Sequence, residues 1–236
     1  MNPSASRQTG CEKITLAVAT DFEVKQIQRA LSHTSPEQQS KFSVIPVGVS
    51  CRNMSLERFH QASCSTIVSI GFAGALDPAL EPGTCLVPQS IVTDQTSSVA
   101  DPDIHRKIAT HLQPHMHDAP LLHTDRLLAS IDDKQQAHER SNCAACDMES
   151  GILAQLAQDL AIPFACVRVI LDPATTPVPQ SIANFATPDW TVADFLRSNL
   201  LHPRELPATA AILKHTFTAS RALRQATTNL VEGLAV

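Results

Sequence analysis

The chain of 236 residues carries 18 lysines and arginines against 23 aspartates and glutamates, a formal net charge of −5. This balance excludes a general electrostatic attraction to nucleic acid. Seven cysteines, an odd number without paired spacing, indicate a reducing compartment, and no apolar run reaches the roughly 20 residues that span a bilayer. We therefore expect a cytoplasmic protein without nucleic-acid partners.

The first half of the chain predicts alternating strands and helices. The β-branched run "KITLAVA" (13–19) predicts a strand, and Asp21 behind it suits the N-cap of a helix that extends to residue 32. Further strands are predicted at 42–48, 65–70 and 84–92. The polar region that follows predicts helices at 103–113 and 125–137.

The second half continues the same alternation. A helix is predicted at 150–161, and the nearly continuous apolar run 163–170 predicts a strand buried on both faces. A Pro-rich loop (172–188) and a helical tail (190–232) follow. Because no linker separates two cores, we expect one α/β domain with a mostly parallel or mixed sheet. The predicted boundaries are a catalytic domain at 11–196 and a basic helical extension, packed on it, at 197–236.

Carboxylates collect where the predicted strands end. They are Asp21 and Glu23, Asp147 and Glu149, and Asp172. Ligands of open α/β sheets bind beyond the carboxyl ends of the strands, so parallel strands would bring these groups to one edge. Each also has a structural explanation, since aspartates cap helices and begin turns. Taken together, they predict a functional site.

Two segments carry a family resemblance. They are "SIGFAGALDPALEPG" (69–83) and "CDMESGILAQLAQDLAIPFACVRVILD" (146–172). With the spacing between them, they resemble the superfamily of purine nucleoside phosphorylases and methylthioadenosine/S-adenosylhomocysteine nucleosidases, over roughly residues 13–228. The motif "DMES", "DRLLASIDDKQQAH" (125–138) and the tail segment 195–224 are similar to the hopanoid-associated phosphorylase branch.

This resemblance implies a nucleoside phosphorylase-like, three-layer α/β/α fold with a mixed central sheet. It also implies cleavage of the N-glycosidic bond of a 5′-substituted adenosine, which in the hopanoid branch is adenosylhopane. A methylthioadenosine/S-adenosylhomocysteine nucleosidase, another purine nucleoside phosphorylase and a non-catalytic nucleoside-binding protein remain alternatives. The implied partners are a small-molecule or lipid-linked adenosyl substrate and further copies of the chain in a homo-oligomer.

The resemblance assigns catalytic roles to three carboxylates. Glu149 would contact the ribose 2′-hydroxyl and stabilise the oxocarbenium-like transition state, while Met148 packs against the sugar. Asp172 matches the family's acid at the purine N7, and a buried position could raise its pKa enough to keep it protonated. Glu23 matches the glutamate that activates water in nucleosidases. No cofactor is implied.

The acceptor of the ribosyl group is the open point. A phosphate co-substrate would bind through Arg52 and through the "GFAG" segment, whose residues are Gly71, Phe72, Ala73 and Gly74. Phe72, however, stands where relatives often carry a hydroxyl residue, and "GVSCRN" (48–53) departs from the usual Gly-rich turn. The branch resemblance favours phosphate, and hydrolysis stays open.

Two other kinds of site are weighed. "CAAC" (143–146) with "HLQPHMH" (111–117) contains zinc-ligand residue types, but a strand through 143–147 would turn Cys143 and Cys146 to opposite faces. We therefore expect no metal and buried free cysteines. "GFAGALDP" lacks the G-x-G-x-x-G fingerprint of dinucleotide binding, and Arg168 is expected to be a structural ion-pair partner.

The tail combines basic and apolar residues. Residues 197–231 contain five basic residues, Arg197, Arg204, Lys214, Arg221 and Arg224, and one acidic residue, Glu205. Leu206, Leu213, Phe217, Leu223 and Leu230 recur at helical spacing. Two interpretations remain: a final helix packed on the core, or a peripheral contact with the anionic inner face of a membrane.

Overall fold

The computed structural model describes residues 13–112, 116–179 and 206–235. Its strands are β1 Lys13–Val18, β2 Phe42–Pro46, β3 Cys64–Ala75, β4 Cys85–Leu86, β5 Ser90–Val92, β6 Ser97–Val99, β7 Met116–His117, β8 Leu121–His123, β9 Ala145–Asp147 and β10 Phe164–Asp172. Its α-helices are α1 Asp21–Leu31, α2 Pro36–Ser40, α3 Leu56–Gln61, α4 Pro102–Leu112, α5 Ile131–Ser141, α6 Ser150–Asp159 and α7 Leu206–Leu234. A 3₁₀ turn covers Val49–Cys51.

The central strand of the sheet is β3. It pairs in parallel with β1 on one side and with β10 on the other, and its last residues pair antiparallel with β9. The strand order is β6-β5-β8-β9-β3-β10-β4-β7, with β2 outside β1. Because parallel and antiparallel pairs both occur, the sheet is mixed, as expected.

Helices cover both faces of this sheet. Ile67 and Cys166 belong to an apolar cluster shared with α3 and α6, whereas Val68 and Val167 belong to a second cluster shared with α1, α4 and α7. Alternate residues of each strand thus point to opposite layers. The three-layer α/β/α architecture is confirmed. Burial on both faces also explains why β10 is apolar along nearly its whole length.

Three elements differ from the expectation. The strand expected at 84–92 is broken into β4 and β5, with Pro88, which has no N–H for a ladder, between them. The helix expected at 125–137 begins only at Ile131, because Ser130 is its N-cap and accepts from the backbone N–H of Asp133. "GFAG" lies inside β3 instead of following a strand, since β3 continues to Ala75.

The long helix α7 has a buried part and an exposed part. Leu223 and Leu230 are fully buried in the cluster with α1 and α4, whereas Leu213 and Phe217 are 56% and 74% exposed. The apolar stripe expected along the tail is therefore buried in its second half and exposed in its first half.

Residues 180–205 lie outside the described part, and with them the expected domain boundary at 196/197. In the ranges described, no helix has the length and apolar character needed to cross a membrane.

Candidate active site

Glu23 is fixed by a capping box at the start of α1. Thr20, not Asp21, is the N-cap, because Thr20 has an extended backbone and Asp21 is already helical. The hydroxyl of Thr20 accepts from the N–H of Glu23, and Oε2 of Glu23 accepts from the backbone N–H of Thr20 at 2.8 Å. The expected Asp21 cap is therefore wrong. The cap buries Glu23 to 3% exposure, beyond the end of β1.

The second oxygen of Glu23 contacts β3. Oε1 accepts a hydrogen bond from the N–H of Phe72 at 2.7 Å. A Cβ at Gly71 would overlap this oxygen, so only glycine leaves room for the carboxylate. We expected these backbone groups to face a bound anion, and the anion that they contact is the protein's own Glu23.

Glu149 lies between β9 and α6 but does not cap the helix. It occupies the N-cap position without a side-chain cap hydrogen bond, and its Oε1 instead accepts from the backbone N–H of Ser50 at 2.9 Å. Burial, and then the nearby charge of Asp147, raise the pKa of Glu149 to about 7, although Arg168 and the Ser50 N–H act in the opposite direction. The charge of Glu23 adds to the increase, so the two glutamates lie near each other.

The loop that binds Glu149 has an unusual backbone. Gly48, Ser50 and Cys51 have φ values of 76°, 52° and 54°, in the left-handed region that non-glycine residues seldom adopt. Such conformations cost free energy and cluster at functional sites. Here the loop aims the Ser50 N–H at Glu149. Arg52, next in the chain, is exposed, and no ion pair joins it to another described residue.

Asp147 has a structural role. Its Oδ2 accepts from Nε of Arg168 at 2.8 Å, and the carboxylate also accepts from the N–H of Ser150 at the start of α6. Burial alone would raise the pKa of Asp147, but the charge of Arg168 and the hydrogen bonds from Ser150 and Arg168 hold it below its usual range. Asp147 therefore caps the helix, and Arg168 is its ion-pair partner, as the sequence predicted.

Asp172, the last residue of β10, is buried beside a lysine. Its Oδ2 accepts from Nζ of Lys134 on α5 at 2.6 Å. A Cβ at Gly74 would lie 3.1 Å from the same oxygen, so the second glycine of "GFAG" makes room for Asp172. Burial raises the pKa of Asp172, and the Lys134 ammonium opposes that increase. Gly71 and Gly74, near the carboxyl end of β3, thus make room for Glu23 and Asp172 respectively.

The strand that precedes Glu149 is antiparallel to β3, whereas the sequence predicted parallel strands at this site. β9 runs antiparallel to β3, so its carboxyl end does not lie at the same edge as those of β1, β3 and β10. The two strands pair only at Gly74 and Ala75, however. Asp147 and Glu149 are therefore directed back along β3 towards Gly71. Glu23 and Glu149 lie near each other, and Asp172 lies against Gly74 near the same end of β3, although not all three arrive through parallel strands.

The expected substrate-contacting residues are distributed around these carboxylates. Met148 is half-buried beside Glu149. Phe72 is also half-buried, and its ring centroid lies 6.2 Å from that of Phe22, which is 45% exposed. The side chain of Ala73 packs into the core at 5% exposure, so only its backbone can face a ligand.

The cysteines differ from the expected geometry. The strand starts at Ala145, so Cys143 precedes it, and both Cys143 and Cys146 pack into the same apolar cluster under α5. The expectation that they point to opposite faces was wrong, while both are free and buried as expected. Within the described ranges, which omit the side chains of 113–117, no group of three ligand residues is placed to hold a metal.

Lys134 and Ser50 are the site residues that the sequence did not reveal. Lys134 is 1% exposed, in a helix that is otherwise strongly polar. A signal was present, because Lys134 lies three residues before Ala137, the other buried residue of α5. Ser50 contributes only its backbone N–H, and the sequence cannot reveal this role because almost every residue type has such a group.

The comparisons with known proteins agree with this architecture. The family model described as the phosphorylase superfamily matches residues 43–198. The chain belongs to the phosphorylase superfamily, whose members cleave N-glycosyl bonds. A sequence search of curated proteins finds no match.

Several solved structures share the fold at low identity. A methylthioadenosine/S-adenosylhomocysteine nucleosidase from Neisseria meningitidis superposes with a TM-score of 0.68 at 13% identity, over 94% of this chain and 100% of that one. The corresponding nucleosidase from Colwellia psychrerythraea, in complex with adenine, gives 0.68 at 15% identity, over 95% and 96%. Futalosine hydrolase from Helicobacter pylori gives 0.63 at 14% identity, over 92% and 97%.

Proposed function

We propose that this site cleaves the N-glycosidic bond of a 5′-substituted adenosine and releases adenine. One observation carries the proposal: Glu23 and Glu149 are buried together, and neither forms an ion pair with a described residue. Glycosidic cleavage places positive charge on the ribose, and uncompensated carboxylates in a low-dielectric site stabilise such a charge. The reaction needs no cofactor, because the three carboxyl groups can supply charge stabilisation, acid and base.

Glu149 and Asp172 act in opposite ionisation states. Glu149 must be ionised to stabilise the ribosyl cation, so activity rises as the pH increases through its pKa of about 7. Asp172 must be protonated to donate a proton to the departing base, and burial raises its pKa in that direction. Activity is therefore lost again when the pH exceeds the pKa of Asp172. The expected profile is bell-shaped.

We infer that water is the acceptor. The N–H groups of Phe72 and Thr20 already donate to Glu23, so they are not free to bind phosphate. Glu23 and Glu149 would also repel that anion. In this proposal Glu23 takes a proton from water as the water attacks C1′ of the ribose. The branch resemblance favours phosphate; this geometry supports hydrolysis.

The experiment that tests the proposal is product analysis. The protein is incubated with 5′-methylthioadenosine in ¹⁸O-labelled water, with and without phosphate. We expect adenine and a free ribosyl product with ¹⁸O at C1′, at the same rate in both buffers. A ribosyl 1-phosphate formed only with phosphate would overturn the choice of acceptor. Tight binding of the substrate without adenine release would instead favour the non-catalytic nucleoside-binding alternative.

We further propose that the 5′ substituent is apolar and lipid-linked, as in adenosylhopane. The branch resemblance supports this substrate, and the exposed Phe22 beside Phe72 provides an apolar surface next to Glu23. A series of 5′-alkylthio adenosines of increasing chain length should then show rising kcat/KM. Faster turnover of S-adenosylhomocysteine than of the long-chain members would favour the methylthioadenosine/S-adenosylhomocysteine nucleosidase alternative.

A lipid-linked substrate fits a peripheral membrane contact through α7. Leu213 and Phe217 are exposed, and an open groove of about 290 Å³ between α1 and α7 is lined by Arg29, Arg221 and Arg224. Attraction to an anionic surface contributes about 1 kcal/mol per basic residue and is screened by salt. We expect the protein to be located in the cytoplasm with reversible binding at the inner membrane face.

Vesicle sedimentation tests this contact. We expect salt-sensitive binding to anionic vesicles, and the double variant Arg221→Glu/Arg224→Glu should weaken it without changing the turnover of methylthioadenosine. The double variant Leu213→Ser/Phe217→Ser should weaken it as well. The family resemblance also implies a homo-oligomer. If the Leu213 and Phe217 variants dissociate an oligomer in sedimentation velocity and leave vesicle binding unchanged, this surface joins copies of the chain instead.

A further inference from the structure

Lys134 is fully engaged by the segment that carries the acid. Its Nζ donates to Oδ2 of Asp172 at 2.6 Å, to the carbonyl of Pro173 at 2.9 Å and to the carbonyl of Thr176 at 3.0 Å. An ammonium has three N–H donors, so none remains for a ligand. Lys134 therefore acts on the chemistry only through these partners.

Stability alone does not account for this arrangement. Taking a lysine and an aspartate out of water costs several kcal/mol per ion, and a buried pair is weak evidence for stabilisation. An apolar side chain of similar length would fill the space at a lower desolvation cost. The pair also lies at the carboxyl group assigned to protonate the departing base, whereas Glu23 and Glu149 are held by backbone N–H groups.

We propose that Lys134 is a positioning residue for Asp172, whose ammonium fixes the carboxyl group and stabilises the carboxylate that remains after proton transfer. The proposal rests on the glycosidic cleavage proposed above. In that reaction the C1′–N9 bond breaks with its electron pair on the base, and the Asp172 proton moves to the base. Water adds to C1′ and gives its proton to Glu23. Lys134 transfers no proton in this reaction.

The contacts also orient the acid. Because Lys134 occupies Oδ2, we assign proton transfer to Oδ1. The two carbonyl contacts hold residues 173–176, directly after the acid, against α5. The N–H of Val178 donates to the carbonyl of Ala129, which fixes the same segment at a second point. Hydrogen bonds thus fix both the side chain of Asp172 and the backbone segment that follows it.

One other titratable group faces Asp172 from the elements packed against it. Cys146 on β9 lies close enough for Asp172 to affect its ionisation. Burial, and then the charges of Asp172 and Asp147, raise the pKa of this thiol far above neutrality, so it stays uncharged. Among the described charged groups, Lys134 is thus the one that opposes the effect of burial on the pKa of Asp172.

The test removes the positive charge of Lys134 while keeping a side chain of similar size. Lys134→Met and Lys134→Gln remove the ammonium, Lys134→Arg retains a cation, and Lys107→Met replaces an exposed lysine on α4 as the control. A cation in contact lowers a carboxyl pKa by about 1–3 units, so its removal should move the alkaline limb of the kcat/KM profile up by that amount. We expect kcat near neutrality to fall at least about tenfold, and Lys134→Arg to restore the limb.

A second readout does not depend on turnover. The ¹³C NMR titration of the Asp172 carboxyl, assigned with Asp172→Asn, should show the same upward shift in both neutral variants. If the wild type releases no adenine, the proposed function fails, while this titration still decides the role of Lys134. Folded Met and Gln variants with an unchanged carboxyl titration and an unchanged alkaline limb would overturn the proposal.

Discussion

The two sides of the site bury carboxylates in opposite ways. Glu23 and Glu149 are held by backbone N–H groups of Thr20, Phe72 and Ser50, and neither forms an ion pair with a described residue. Asp172 is held by the Lys134 ammonium, which compensates it. Dipoles orient a carboxylate without neutralising it, whereas a cation stabilises its ionised form. The first arrangement suits a group that must attract positive charge, and the second suits a group that must give up a proton.

The largest effects should follow replacement of either the Glu149 or the Asp172 carboxyl group. Glu149→Gln and Asp172→Asn should each lower kcat at least about 100-fold, since one removes charge stabilisation and the other removes the acid. Steady-state adenine release measures this, with the exposed Glu57→Gln as a control of unchanged rate. In Glu149→Gln the acidic limb near pH 7 should also disappear. Near-normal turnover in both variants would remove the two residues from the site.

The same two variants should differ in stability. The pKa of Glu149 is raised in the folded state, so its ionisation opposes folding as the pH rises from 4.5, its ordinary pKa, through about 7. Glu149→Gln should therefore be at least as stable as the wild type above that range. Asp172→Asn leaves the Lys134 ammonium buried without its anion, which should cost about 3 kcal/mol or more.

Urea denaturation followed by circular dichroism measures both free energies of unfolding. Equal destabilisation by the two substitutions would contradict the difference between the compensated and uncompensated carboxylates.

A smaller effect is expected at the two glycines that face the carboxylates. In Gly71→Ala the new Cβ would overlap Glu23 and displace it, which should lower kcat roughly tenfold. In Gly74→Ala the Cβ would lie 3.1 Å from Asp172, so a small shift suffices and the loss should be only about threefold. Steady-state kinetics of both variants measure the two losses in kcat. A larger loss in Gly74→Ala than in Gly71→Ala would contradict the prediction that Gly71 is the more crowded position.

Much of the fold could be predicted from the sequence because the decisive signals are local. The apolar run of β10 and the helical spacing after Glu149 identify a strand and a helix directly. The break between β4 and β5 depends on a single proline inside an apolar run. The antiparallel pairing of β9 depends on its tertiary partner β3, and no pattern within a segment of three residues specifies it.

The sequence predicted those site residues whose side chains belong to a recognisable motif. Glu23, Glu149 and Asp172 follow from the matched segments, and all three are buried in the structure. The roles of Gly71 and Gly74 were not predictable. A glycine indicates that another group can pack closely against the backbone, but the sequence does not show that these groups are the side chains of Glu23 and Asp172. Lys134 was missed because a lysine in a polar helix is ordinarily solvated, and only the fold shows that it is buried.

The central claim is that the sugar side recognises positive charge, and a binding measurement tests it without turnover. Calorimetry would compare a 5′-methylthio adenosine analogue whose ribose is replaced by a protonated pyrrolidine with its neutral carbocyclic counterpart, at a pH where Glu149 is ionised. We expect the cation to bind at least about 100-fold more tightly, and this advantage to be lost in Glu149→Gln but kept in Lys134→Met. Equal affinity for the two analogues, or an advantage that persists in Glu149→Gln, would contradict the account.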